Sequence, residues 1–141
     1  VGEDCTQPDE YLAILPEFGG ASWGSKMLEG SPEFLVEITH TTASIDLHEK
    51  LETYQQALVQ EYLVVLIKTR AIRWHRLVRN KYQLIDCDAD GVYRSRVFPG
   101  LWLDSKALFA DDIAKVLATL QLGIASDEHQ KFVADLAKRK K

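Results

Sequence analysis

Residues 30–50 read GSPEFLVEITHTTASIDLHEK, and within them the chain changes from the period of a strand to the period of a helix. Phe34 to Thr39 is a short apolar and β-branched run entered through Ser31-Pro32, which predicts a buried strand with one carboxylate, Glu37, set into it. An unpaired buried charge costs several kcal/mol, so Glu37 requires a cation beside it, either a metal ion or Lys50. Beyond Thr39 the spacing becomes helical. Ser44 or Asp46 can open the helix, and Leu47, Leu51, Tyr54 and Leu58 recur at i, i+4, i+7 and i+11 as an apolar stripe. On the helical wheel Lys50 stands about 60° from Leu47 and about 40° from Tyr54, so it borders the buried stripe. Asp46 stands one turn before it; as an exposed pair, Asp46 and Lys50 would contribute only a few tenths of a kcal/mol.

The flanking sequence predicts the sheet to which this strand belongs. Glu61 to Ile67 is almost continuously apolar, as a central strand buried on both faces must be. Ala71 to Val78 alternates, Lys81 to Ile85 follows a turn at Arg79-Asn80, and the three strands form an antiparallel meander with its arginines on one accessible side. Upstream, Thr6 to Ile14 reads as a strand in which Asp9 supplies a second carboxylate, able to lie beside Glu37. Pro16 to Pro32 is rich in glycine and serine and reads as a loop with at most a short helix. Val92 to Asp104 continues as a strand broken at Pro99-Gly100. Asp111 opens a helix with the stripe Ile113, Val116, Leu117 and Leu120, ended by Gly123, and Ser126 opens a second helix.

Composition narrows the function classes. The 141 residues suit one domain, 1–141, with a real core, and no apolar run reaches the roughly 18 residues of a membrane span. No signal peptide is read, and the two cysteines, Cys5 and Cys87, have no metal or disulfide spacing, which fits a reducing cytoplasm. The net charge of −4 is unevenly spread: residues 1–61 hold twelve acids against two bases, whereas Tyr62 to Ile85 holds six bases and no acid. Within that block Arg70, Arg73, Arg76 and Arg79 form a candidate phosphate-contacting surface, the simpler reading being a solvated hairpin face.

Two other patterns fail on context. Gly20-Ala21-Ser22-Trp23-Gly24 matches the GxSxG of a hydrolase elbow but follows a turn instead of a strand. Asp86 to Gly91 resembles half of a calcium loop, yet Val97 occupies the position of the bidentate glutamate, so an Asx-rich turn is expected.

Asp9, Glu37 and Lys50 together form the constellation used for metal-dependent phosphodiester cleavage: two hard carboxylates for Mg²⁺ and a cation near the reacting phosphate. A plain Glu37–Lys50 ion pair is the structural alternative.

The chain also resembles the Uma-type bacterial family of endonucleases in the PD-(D/E)XK, restriction-endonuclease-like superfamily. The likeness is carried by Gln7-Pro8-Asp9, by Gly30 through Ile38, by Asp46-Leu47 with Lys50 and Tyr54, by Glu61-Tyr62, and by Val97 through Leu103. It implies that Asp9 is the motif aspartate and Glu37 the motif acid. Thr39 stands two positions after the acid, where the motif has lysine, so the lysine role falls to Lys50 on the following helix, with Asp46 and Tyr54 in support. It further implies Mg²⁺ or Mn²⁺, a DNA substrate and, by analogy, a homodimer, and it implies that an N-terminal part usual in the family is lacking. The resulting expectation is an α/β fold, a restriction-endonuclease-like mixed β-sheet core with a covering helix and two C-terminal helices. A metal-dependent DNA endonuclease is the function expected; the alternative is a non-catalytic nucleic-acid-binding or assembly protein that keeps the fold.

Overall fold

The computed structural model describes residues 9–20, 22–23, 28–29, 31–40 and 44–140; Cys5 and the Gln7-Pro8 pair lie outside them, as does the side chain of Asp46. In chain order the elements are β1 (Glu10–Leu12), a 3₁₀ turn (Pro16–Phe18), β2 (Ser22–Trp23), β3 (Leu28–Glu29), β4 (Phe34–Thr39), α1 (Ser44–Gln56), β5 (Glu61–Leu66), β6 (Ala71–Val78), β7 (Lys81–Ile85), β8 (Val92–Arg94), β9 (Trp102–Asp104), α2 (Ser105–Phe109), α3 (Ile113–Ile124) and α4 (Asp127–Lys138). This is the mixed α/β class expected from the sequence, with two helices at the C-terminal end. The chain divides into two compact units, Val1–Ile85 and Asp86–Lys141.

In the first unit five strands form one sheet in the order β1-β4-β5-β6-β7. Only the β4–β5 pair is parallel, and a parallel pair needs a crossover, which α1 supplies. β5 lies at the centre with all six residues buried, which accounts for its unbroken apolar run. Leu35 and Glu37 of β4 share a sheet face with Tyr62, Val64 and Leu66 of β5, because register pairs Leu35 with Tyr62 and Glu37 with Val64. Leu47 and Leu51 of α1 pack on this face around a core of Leu35, Tyr54, Val59, Tyr62, Val64 and Leu66. At about 1.5–3 kcal/mol for each large apolar side chain buried, that core offsets the several kcal/mol that burying one carboxylate costs. On the opposite face Phe34 meets Trp74 edge to face at 5.3 Å.

The stripe of α1 ends differently from the sequence reading. Leu58 lies beyond the helix, half exposed and with φ of 60°, while Val59 is fully buried. Two amides close the last turn: Val59 N–H donates to Tyr54 O at 3.1 Å and Leu58 N–H to Gln55 O at 3.0 Å, the paired bonds of a Schellman cap. Leucine fills the left-handed position that usually belongs to glycine, so i+4 spacing from Tyr54 misled the assignment. Upstream, the described strand before β4 covers only Glu10–Leu12, and the glycine-rich connection contains the 3₁₀ turn and a β2–β3 ladder pairing Ser22 with Glu29. Ser22 is thus in a paired strand, where an elbow would put its serine on the turn between a strand and a helix.

In the second unit β8 and β9 pair antiparallel across the Pro99-Gly100 turn. Asp88 Oδ1 accepts the amides of Asp90 at 2.9 Å and Val92 at 3.0 Å, the Asx turn expected of that segment. Asp104, Asp112 and Ser126 cap α2, α3 and α4. The α3 cap is therefore Asp112, and Asp111 instead takes φ of 58° in the preceding turn. Gly123 lies inside α3 and does not end it: a Cβ there would collide with Gly100 O and meet the Trp102 ring at 2.9 Å. His129 Nδ1 lies 2.9 Å from Pro99 O, which packs this face of α4 against the Pro99-Gly100 turn. Among the described residues no helix is long and apolar enough to cross a membrane.

Candidate active site

The β1 ladder on β4 ends with Glu10 opposite Val36, and the residue before it, Asp9, uses its carboxylate in place of a further ladder bond: Asp9 Oδ2 accepts the Ile38 N–H at 2.6 Å. This brings Asp9 beside Glu37, whose side chain lies on the face covered by α1. Glu37 is 4 % exposed. Its Oε2 is 3.3 Å from Lys50 Nζ, and its Oε1 accepts the Tyr54 hydroxyl at 3.2 Å. Lys50 and Tyr54 are four residues apart on α1, so one helix face delivers both. Lys50 remains about one-third exposed at its side chain, 31 %, and so joins the buried carboxylate to the surface.

The electrostatics follow from this geometry. Burial lifts the Glu37 carboxyl above the ordinary glutamate range; Lys50 opposes that by charge and hydrogen bond, Asp9 adds to it by like charge, and Tyr54 opposes it weakly. Burial and the Glu37 charge push the Tyr54 phenol up, which keeps it a donor. The structure thus brings Asp9, Glu37, Lys50 and Tyr54 together. Asp46 belongs to α1 by backbone, one turn before Lys50, and its side chain is outside the described residues.

The donor set suits a hard cation. Each carboxylate has about four lone-pair sites. Lys50 and Tyr54 take one on each oxygen of Glu37, and Ile38 takes one on Asp9, which leaves oxygen ligands on both residues. Mg²⁺ binds well through one or two carboxylates with waters completing the shell. Among the described residues no group of three or more His, Cys, Asp and Glu stands close enough to hold an ion.

The arginines do not form the one-sided surface expected of them. Arg70 and Arg79 occupy the turns at opposite ends of β6, each with φ of 53°. Arg73 lies opposite Val64, on the α1 face. Arg76 lies on the other face, 17 % exposed at its side chain and 4.0 Å from the buried carboxylate of Glu61. A three-residue separation in a strand puts two side chains on opposite faces, so Arg73 and Arg76 could not have shared one. Glu61 also accepts the Trp74 indole N–H at 2.5 Å, a cluster the sequence reading missed. Its signal was an acid heading an apolar strand, paired in register with a base on the next.

A mixed sheet with an acid on an inner strand, a second acid at the adjoining strand and a lysine from the crossover helix is the arrangement that the resemblance to restriction-endonuclease-like proteins implies. A family model described as "Putative restriction endonuclease", Uma2, matches residues 2–106, and the chain belongs to that family. No curated protein matches the chain. The match covers all four residues of the site.

Proposed function

We propose that this protein is a metal-dependent endonuclease that hydrolyses DNA phosphodiester bonds, with Asp9 and Glu37 holding Mg²⁺ or Mn²⁺ and Lys50 acting at the phosphate. The observation that carries the reading is the buried Glu37, engaged by Lys50 and Tyr54 on one side and adjoined by Asp9 on the other. A bound divalent ion would supply an acidified water and an electrophile for the phosphate oxygens. Tyr54 holds the Glu37 carboxylate in orientation by its hydroxyl, and the Ile38 amide does the same for Asp9. The partly exposed Lys50 is available to offset negative charge that develops on a phosphate. Cutting both strands takes two such sites, which a homodimer would provide.

The other reading is a non-catalytic nucleic-acid-binding or assembly protein that keeps the fold, with Glu37 and Lys50 as a plain ion pair. Nicking of supercoiled plasmid separates the two. Cleavage in Mg²⁺ or Mn²⁺ should be abolished by EDTA and reduced at least about 100-fold in Glu37→Gln and Asp9→Asn. Nicking that persists in EDTA, or is the same in both variants as in the wild type, would remove the endonuclease assignment.

A further inference from the structure

A cavity of about 500 Å³ lies between α1 and strands β5 and β6, walled by Leu47 and Leu51 and floored by Tyr62, Val64, Arg73 and His75. None of Asp9, Glu37, Lys50 or Tyr54 lines it. His48, at its rim, and Lys50 are about 160° apart on the wheel of α1, so the cavity and the carboxylate pair flank the helix on opposite sides. Its volume is within the about 300–1,000 Å³ typical of small-molecule sites.

Two side chains in this cavity have unspent binding capacity. His75 is 9 % exposed, and no described residue makes a hydrogen bond to its ring. Stacking on Tyr62 at 5.5 Å holds the ring in place. Burial, and then the charge of Arg73, keep the imidazole neutral by lowering its pKa to about 4, so it offers one N–H donor and one acceptor nitrogen. Arg73 is exposed and makes no ion pair among the described residues, which leaves its planar fork of donors to an anion. The aliphatic side chains of Leu47, Leu51 and Val64 suit the faces of a flat ring, and Glu49 at the rim opposes a second anionic group.

We propose that this cavity binds a single nucleotide, with its phosphate on Arg73 and its base hydrogen-bonded by His75. The choice of a nucleotide among small anions rests on the nuclease reading above. The nucleotide can come from a nucleic-acid strand or from solution.

Calorimetric titration of the full chain in EDTA, where metal-dependent cleavage is off, tests this with the four deoxynucleoside 5′-monophosphates, inorganic phosphate and a short single-stranded oligodeoxynucleotide. At least one mononucleotide should bind, with inorganic phosphate at least about tenfold weaker. Arg73→Gln, a change at an exposed side chain, should weaken the mononucleotide at least about tenfold, in line with the loss of a charge-assisted hydrogen bond. His75→Phe should alter the ranking of the four bases, and Glu37→Gln should leave binding unchanged. Loss of oligonucleotide affinity in Arg73→Gln identifies a nucleotide within a strand; an unaffected oligonucleotide identifies the free nucleotide. No mononucleotide binding at millimolar concentration, or equal binding in Arg73→Gln, overturns the proposal even if plasmid is nicked. Arg73-dependent binding by a protein that does not nick leaves the cavity standing and removes the nuclease reading alone.

Discussion

Lowering the pH should destabilise this protein through His75, and His75→Phe should remove that part of the loss. The imidazole is buried against Tyr62 and Tyr82, with ring centroids at 5.5 and 5.7 Å. Around it are Arg73 from its own strand and His48 and Glu49 from α1, of which Arg73 opposes protonation. The folded pKa of about 4 is below the ordinary 6.5, so between these values the unfolded chain binds the extra proton. The stability this confers is fully present above pH 6.5 and is lost as pH falls toward 4. With both values inserted, the loss reaches about 2 to 3 kcal/mol by pH 4.5. Phenylalanine retains the ring against Tyr62, and the adjoining cavity leaves room for it. Urea unfolding of both proteins at pH 7.5 and 4.5 isolates this share, because the carboxylates contribute equally to each and cancel in the difference. An equal loss in wild type and His75→Phe, or an imidazole resonance that titrates near 6.5, would refute the reasoning.

Two further predictions concern the backbone. Leu58→Gly should stabilise the protein by about 0.5–1 kcal/mol, because relieving a left-handed leucine gains about 1–2 kcal/mol and the freer unfolded glycine returns part of it. A lowered melting temperature would show that the half-exposed leucine contributes packing that outweighs its strain. Gly123→Ala should destabilise the unit Asp86–Lys141 by about 1–2 kcal/mol: overpacking against Gly100 O and Trp102 costs about 1–3 kcal/mol, against a gain of up to about 1 in helix propensity. Hydrogen exchange in α3 reads this directly, and unchanged protection there would contradict it.

The parts of the fold legible in the sequence were those where burial imposes a period. β4, β5, β6 and β7 appear where alternation or an unbroken apolar run required them, and Glu37 was conspicuous because a charge interrupts such a run. Asp9 and Lys50 were legible as its partners, one from the neighbouring strand and one from the edge of the α1 stripe. Contacts made by backbone geometry were not legible. The Schellman cap tolerates a leucine at 58, and Gly123 serves a close approach between Gly100 and α3 while looking like a stop signal. The β2–β3 ladder has two residues per strand, too few for any period to register. The arginines were misjudged for another reason: sequence proximity was taken for a common face, although strand geometry alone separates Arg73 from Arg76.

Helix α1 then emerges as the element on which both candidate sites depend. One flank carries Lys50 and Tyr54 to Glu37, and the other carries Leu51 and His48 to the cavity that holds His75 and Arg73. A rotation of α1 that improved one set of contacts would withdraw the other, so the helix must be held in a single orientation by its apolar stripe. Leu47, Leu51 and Tyr54 provide that stripe, and the cap at Leu58 and Val59 fixes where it ends, with Val59 buried in the same cluster as Tyr54. Loosening at this C-terminal turn would therefore act on Glu37 first through Tyr54, the residue that both bonds the carboxylate and accepts the capping amide of Val59. That coupling makes the hydroxyl of Tyr54 the point where the packing of the core and the chemistry of the carboxylate pair meet.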